Sequence, residues 1–326
     1  YSMMSDIAAS VVLVTGDGAD HLAGILARLR HQTIAHKLEV IFVTREEHLE
    51  GIAALKPNEF GSFKVFAGDL STSARGRAMG VHAATAPITI LAEDHSFPVH
   101  DDWAERIVRH FDDAWAGVGP VVRNANPSTG ASCATLLLEY GPFLGRRAPG
   151  PARYIAGHNC AYRTVLLTAY GDRLGEMLES EWRLQNELHA QGHRFLVDPA
   201  VQVAHMNYSR VAPSLKLHHL AGRMFAASRR TGWTTPRRVA FALAAPLIFA
   251  KRFVQTVCEG LGPETRGDLP RSIPPLGLYL AVSAAGEAMG YLFGTGDRER
   301  ELAELEYSRW QHVRPSEVDL QLDPSE

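Results

Sequence analysis

Short apolar runs that alternate with helical patterns constrain the first half of this chain more than any other feature. Residues 10–15, 38–44, 63–67, 88–92 and 117–123 are runs of strand length dominated by Val, Ile, Leu and Phe. Between them, residues 20–32 place Leu22, Ile25, Leu26 and Leu29 at helical spacing, 73–84 reads as a helix, and 101–111 carries Trp103, Ile107 and Phe111 along one face. A strand covered on both faces reads as an unbroken apolar run, and alternation of such runs with amphipathic helices builds a mainly parallel sheet. The expected fold class is α/β, a mainly parallel sheet flanked by helices, with a helical appendage at the C-terminal end.

The second half has a different pattern. Residues 124–157 are rich in Pro, Gly, Ser and Ala and read as long loops over a site. A helix is expected over 181–191, ended by Gly192, then short strands at 195–197 and 201–204. Beyond Asn207 come two apolar helical stretches, 237–257 and 276–293, joined by a Gly/Pro-rich connector. The first has only about a dozen uninterrupted apolar residues and the second contains Glu287, whereas a membrane span needs ~20. Interfacial or oligomer-forming helices are the expected reading, with burial over the first domain as the plainer one. The divisions are an α/β domain at 5–207, a helical membrane-proximal or oligomerisation region at 208–310, and a flexible tail at 311–326.

Charge is segregated along the chain, although the net value is only −3. From Pro199 to Cys258 there is no Asp or Glu, while Arg210, Lys216, Arg223, Arg229, Arg230, Arg237, Arg238, Lys251 and Arg252 are all cationic. From Glu259 onward, acids outnumber Lys and Arg by thirteen to six. A phosphate-bearing or anionic partner suits the basic stretch, peripheral membrane contact is expected through 210–293, and nucleic acid is not an expected partner. The three cysteines, Cys133, Cys160 and Cys258, share no CxxC spacing, so no zinc knuckle or disulfide framework is expected and a reducing, cytosolic setting fits. The start, Tyr1-Ser2-Met3-Met4, lacks the basic and apolar regions of a secretory leader.

Chemistry concentrates where the fourth run ends. Ile88-Thr89-Ile90-Leu91-Ala92 stops abruptly in Glu93-Asp94-His95, and open α/β sheets place ligands at the carboxyl ends of their strands. The tripeptide Gly16-Asp17-Gly18 lacks the third glycine of GxGxxG, which argues against a dinucleotide oxidoreductase.

In order and spacing the chain from about Ser10 to His205 resembles a family 2 glycosyltransferase of the GT-A fold. The blocks are Gln32-Thr33 after the first βα unit, Ala74-Arg75-Gly76-Arg77-Ala78-Met79-Gly80, and Glu93-Asp94-His95 in the place of an Asp-x-Asp motif. Then come Gly157-His158-Asn159-Cys160-Ala161-Tyr162-Arg163, Glu181-Trp182-Arg183-Leu184, Asp198-Pro199 and Val203-Ala204-His205. The resemblance implies inverting transfer of a sugar from a nucleotide-diphosphate sugar to a glycan or lipid-linked acceptor, at the cytosolic membrane face. It implies Glu181 as the catalytic base, with Glu179 as its rival, and nucleotide-sugar contacts from Thr15, Asp17, Arg75, Glu93 and Asp94. A divalent cation, Mn²⁺ or Mg²⁺, is implied at Asp94, His95 and His205.

The chain departs from that pattern in two places. His95 stands where a carboxylate is expected, and a hard cation prefers carboxylate oxygen. Thr44-Arg45-Glu46-Glu47 replaces the Asp-Asp-Gly-Ser that holds base and ribose, and no Gln-x-x-Arg-Trp motif of processive synthases occurs. A relative that binds a nucleotide sugar or a partner without turnover is therefore the alternative. Donor, acceptor and homo-oligomeric state are not legible in the residues.

Overall fold

The computed structural model describes residues 7–145 and 148–322; the expectations for the first four residues and for the last four of the tail lie outside that range. Nine strands form one sheet: β1 (Ala9–Val14), β2 (Leu38–Thr44), β3 (Ser62–Ala67), β4 (Ile88–Glu93), β5 (Ser96–Pro98), β6 (Trp115–Asn124), β7 (Gly150–Ala152), β8 (Cys160–Arg163) and β9 (Arg194–His205). Their order is β3-β2-β1-β4-β8-β6-β9-β5, with β7 paired to β9. By contacts the chain divides into two units: one takes residues up to 123 and from 147 to 204, the other takes 124–146 and 205–319.

In the first unit, β3, β2, β1 and β4 are all parallel, as the alternation predicts. The other half of the sheet is mixed, because β8 runs antiparallel to both β4 and β6. The helices of this unit are α1 (Ala23–Arg30), α2 (Glu46–Ala53), α3 (Ser73–Ala83) and α4 (Trp103–Arg109). Residue 124 onward leaves this unit with α5 (Gly130–Tyr140), and the chain returns to it for α6 (Thr164–Thr168), α7 (Leu174–Leu178) and α8 (Glu181–Ala190). The core gathers Val12, Ile41 and Leu91 from the sheet with Ala74, Ala78 and Val81 of α3 and Leu184 and Leu188 of α8. The two short strands expected at 195–197 and 201–204 are one strand, β9, in which Asp198 accepts from His110 Nε2 at 2.6 Å.

The second unit is helical: α5, α9 (Val211–Arg229), α10 (Thr235–Leu243), α11 (Ala245–Gly260), α12 (Leu269–Phe293), α13 (Glu299–Tyr307) and the start of α14 (Pro315–Leu322). Where long loops were expected at 124–157, α5 forms. Its Thr129 cap accepts from Ser132 N at 3.0 Å, and seven of its first eight residues are buried, so it lacks the one-sided polarity by which a helix is recognised. Helix α12 begins seven residues before the expected 276, continuing through Pro274 and Pro275. It lies so close on α9 that a Cβ at Gly286 or Gly290 would collide with the backbone carbonyl of His219 or Arg223, respectively. By length and composition α12 could cross a membrane, although half of its apolar window is buried in the unit. Its Glu287 is buried, pairs with Arg252 of α11, and is pushed above the usual carboxylate range by burial. Near the expected tail, Glu317 of α14 is buried and accepts from Ser128 Oγ and Arg314 N, which anchors that helix.

Candidate active site

The parallel register of β1 and β4 sets Val14 beside Glu93, so the loops that follow both strands emerge together. Thr15, Asp17 and Glu93-Asp94-His95 therefore share one sheet edge, as ligand-bearing residues do at the carboxyl end of a parallel sheet. The Thr15 hydroxyl accepts from Asp17 N at 3.2 Å and fixes that turn. Desolvation, and then the neighbouring charge of Asp94, raise the Asp17 carboxyl above its usual range; Asp17 Oδ2 finds no hydrogen bond among the described residues.

That upward displacement has a definite sign. A carboxyl that holds its proton more tightly when folded costs stability once it ionises, so the penalty is absent below the unfolded value near 3.9 and grows as pH rises through the folded value. Asp17→Asn is expected to raise the melting temperature at neutral pH, and the gain is expected to disappear in acid. Melting curves from pH 3 to pH 8 check this; a gain independent of pH would exclude the carboxyl charge as its cause.

Glu93 is buried and contacted by side chains from α3 and from the turn before β8. Arg77 Nη2 lies 3.3 Å from its Oε1, Asn159 Nδ2 donates to its Oε2 at 3.2 Å, and His158 Nδ1 stands 3.3 Å from Oε1. Arg77 arrives from α3, where Gly76 and Gly80 pack directly on Val14 and Val12 of β1 and let the helix lie close to the strand. Asn159 arrives from the turn before β8. Its φ of 59° is a left-handed conformation that Asn tolerates better than most residues, and its own N–H is tied to Leu91 O at 2.6 Å.

The same guanidinium reaches the candidate base. Arg77 Nη1 stands 3.8 Å from Glu181 Oε1, so one buried cation lies between the strand-end acid and the first residue of α8. Gln185, one turn along α8, donates to Ile155 O at 3.0 Å and to Tyr162 Oη at 2.9 Å, while its Oε1 accepts from Ile155 N at 3.1 Å. These bonds fix α8 against the segment that ends in Gly157. A Cβ at Gly157 would lie 2.6 Å from the Glu181 carboxyl carbon, so the glycine leaves room for that carboxylate where it stands. The Glu181 side chain keeps 27% exposure, enough to meet a ligand, and the helix N-terminus favours its charge. Glu179, the rival, is exposed and accepts from Thr72 Oγ1 at 3.0 Å.

Asp94 and His95 form a separate pair. His95 Nδ1–H donates to Asp94 Oδ1 at 2.7 Å, which leaves Nε2 as the lone-pair nitrogen, 3.6 Å from Glu93 Oε2. A carboxylate behind an imidazole is the usual means of orienting a metal-binding histidine. Two ligands about 2.1 Å from one ion stand about 3.0–3.4 Å apart, so the Glu93 and His95 atoms fit a divalent cation with a small adjustment. In this arrangement Asp94 orients the imidazole from behind and Glu93 is the oxygen nearest Nε2. Glu93 and Glu181 share the buried Arg77 guanidinium, and Asp94 lies close enough to Asp17 to raise its carboxyl, so acids gather at this end of the sheet.

Arg75 lies apart from this group, on the exposed side of α3, paired with Asp69 at 2.9 Å; hydrogen bonds from Ser71 and Arg75 hold the Asp69 carboxyl down at about 2. His205 belongs to the second unit. It is fully buried, packs its ring on Tyr140 at 4.8 Å, and donates from Nδ1 to Asn207 Oδ1 at 2.9 Å, an amide whose Nδ2 is held by Asn124 Oδ1 at 2.9 Å. Its Nε2 is thereby also the lone-pair nitrogen. Sequence reasoning passed over Arg77, His158 and Asn159 as site residues. The signal for Arg77 was present in Gly76 and Gly80, whose spacing marks the face of α3 that closes on the sheet.

No protein-family profile matches the chain, and comparison with curated proteins finds no relative. Among solved structures, the chain is similar to GalNAc-T7 with UDP, GalNAc and Mn²⁺, at 16% identity and a TM-score of 0.46, over 62% of this chain and 44% of that one. It thus spans less than half of that protein. It is also similar to the mannosyltransferase PcManGT from Pyrobaculum calidifontis in complex with GDP-Man and Mn²⁺, at 16% identity and a TM-score of 0.49, over 92% and 86% of the two chains. A third is S. aureus TarS 1–349 in complex with UDP, at 13% identity and a TM-score of 0.48, over 82% and 89%.

Proposed function

We propose that this chain is an inverting glycosyltransferase of the GT-A type that moves a sugar from a nucleotide-diphosphate sugar to an acceptor hydroxyl. The single observation that carries the reading is the Arg77 guanidinium, within 3.3 Å of Glu93 and 3.8 Å of Glu181, which brings a strand-end acid and a helix-start acid to one point. Glu181 accepts the proton of the acceptor hydroxyl as its oxygen attacks the anomeric carbon. The bond to the diphosphate breaks on the opposite side, and its electron pair leaves with the nucleoside diphosphate. Thr15 and Asp17, beside Glu93, contact the nucleotide; Arg75 is joined to them only by its place in the order of sequence blocks.

A divalent cation, Mn²⁺ or Mg²⁺, would be held by Glu93 and by His95 Nε2, with Asp94 fixing the imidazole, and would supply positive charge to the leaving diphosphate. His205 is proposed as a further nitrogen ligand because of its place in the order of sequence blocks. The acceptor is a glycan or a lipid-linked glycan at the cytosolic face of a membrane. The competing reading, nucleotide-sugar binding without turnover, draws on His95 standing in a carboxylate's place and on the engagement of Glu93 by Arg77 and Asn159.

A thermal-shift screen over nucleoside diphosphates and nucleotide sugars, with and without Mn²⁺ or Mg²⁺, tests the proposal. A ligand at a hundred times its Kd adds about 2.7 kcal/mol of stability. Shifts with one base family, dependent on metal and lost in Asp94→Asn/His95→Ala, are the expected result. Release of nucleoside diphosphate then separates turnover from binding alone. No shift with any donor under either metal would remove the reading, and an unchanged Mn²⁺ titration in His205→Ala would remove that residue from the ligand set.

A further inference from the structure

Helices α10 and α11 present to solvent a face that a water-exposed helix does not have. Val239, Leu243, Leu247, Val254 and Leu261 are all exposed, Leu243 and Leu247 by 76% and 75%. Ala250 is exposed between them. On α11 the spacings of three and four residues from Leu247 through Ala250 to Val254 keep these side chains on one line, and Leu243 ends α10 just before them. The opposite side of α11 is already in use: Phe249, Phe253 and Val257 pack on Ala134, Leu276, Tyr279 and Leu280. The outer stripe is therefore a second apolar face rather than the edge of the core, and contiguous exposed apolar surface of this kind marks an interaction site.

Charge identifies what covers it. Lys251 and Arg237 are exposed on the same two helices, and Arg237 lies flat over the Trp233 ring at 4.0 Å. No acid occurs between Pro199 and Cys258. A second copy of this chain, packed face to face, would bring the exposed Arg237 and Lys251 of both copies together, which like-charge repulsion opposes. Together the two helices are long and apolar enough for a span, but they are bent by 54° between them, and the sixteen residues of α11 alone extend about 24 Å against a hydrocarbon core of ~30 Å, a shape that suits the surface of a bilayer better than its full depth. Apolar residues flanked by Lys and Arg on a helix that lies flat are the features of interfacial binding to anionic lipid.

We propose that the outer face of α10 and α11 docks on an anionic lipid bilayer, with Leu243, Leu247 and Val254 inserted between headgroups and Arg237 and Lys251 on the lipid phosphates. The inference rests on the surface of the second unit alone and not on the catalytic reading; binding to lipid requires no donor, metal or turnover.

Flotation of the full chain with phosphatidylcholine vesicles, with and without phosphatidylglycerol, tests it. The expected result is binding to the anionic vesicles at least about tenfold stronger than to the neutral ones and weakened by salt. Leu243→Ser/Leu247→Ser/Val254→Ser is expected to lose at least about tenfold of that binding, and Arg237→Glu/Lys251→Glu likewise. Because all five side chains are exposed, both variants should keep the wild-type melting temperature. Failure to float with anionic vesicles at low salt would overturn the proposal, as would wild-type binding by the triple variant. A solution dimer that the triple variant dissociates, without lipid binding by the wild type, would assign the face to a second copy instead.

Discussion

Glu181→Gln is expected to lower the turnover number by about a hundredfold to ten-thousandfold while leaving the donor affinity nearly unchanged, because the amide keeps the shape of the side chain but cannot take the acceptor's proton. The structure makes the comparison clean. Glu181 stands over Gly157 at the start of α8, and the helix is fixed one turn later by the three hydrogen bonds of Gln185, so the substitution leaves the local backbone in place. Glu179→Gln is the control. That carboxylate is exposed and hydrogen-bonded to Thr72, and its loss is expected to change turnover by no more than about twofold, in line with the small value of exposed polar contacts. Single-turnover kinetics with separate donor titrations check both variants. If the Glu179 variant were the inactive one, the base would be reassigned; if neither were, general-base catalysis at this end of α8 would be excluded.

Arg77→Met is expected to have the largest effect on stability, about 3–5 kcal/mol, because it leaves buried carboxylates without their cation. The side chains of Arg77 and Glu93 are only 6% and 7% exposed, so water cannot replace the lost charge, although Glu181, at 27%, is partly relieved by solvent. Lysine should restore only part, since a single ammonium cannot place separate donors toward Glu93 and Glu181 as the guanidinium does. Combining Arg77→Met with Glu93→Gln should recover much of the loss, a coupling that marks a direct pair rather than two independent defects. Urea denaturation of the four proteins checks the cycle. A loss below about 1 kcal/mol for Arg77→Met would show that the bridge contributes little.

The parallel strands were legible because their burial on both faces leaves unbroken apolar runs; residues 38–44 were placed to the residue and β4 to within one. The position of Glu93-Asp94-His95 followed directly, since a strand that ends in charge must end at solvent or at a ligand. What escaped was whatever depends on a partner remote in sequence. Helix α5 reads as a loop because nearly every side is buried, and periodicity marks a helix only where one side meets water. Helix α12 passes through two prolines that look like a stop, held by the close approach of its glycines to α9. The tail gained a helix through Glu317, whose partners Ser128 and Asn126 lie far back in the chain.

The site divides in the same way. Local pattern was enough to fix which acids and imidazoles stand at strand and helix ends, because solvation and helix polarity act on neighbours in sequence. It was also enough to expose the acid-free basic stretch that α10 and α11 turn outward. Which cation lies between those acids was decided only by packing: Arg75 and Arg77 are two residues apart on one helix, and the seating of Gly76 and Gly80 on β1 sends one into solvent and buries the other between Glu93 and Glu181. A buried charge takes its value from the geometry of its counter-charges, and that geometry exists only once the helix has closed on the sheet.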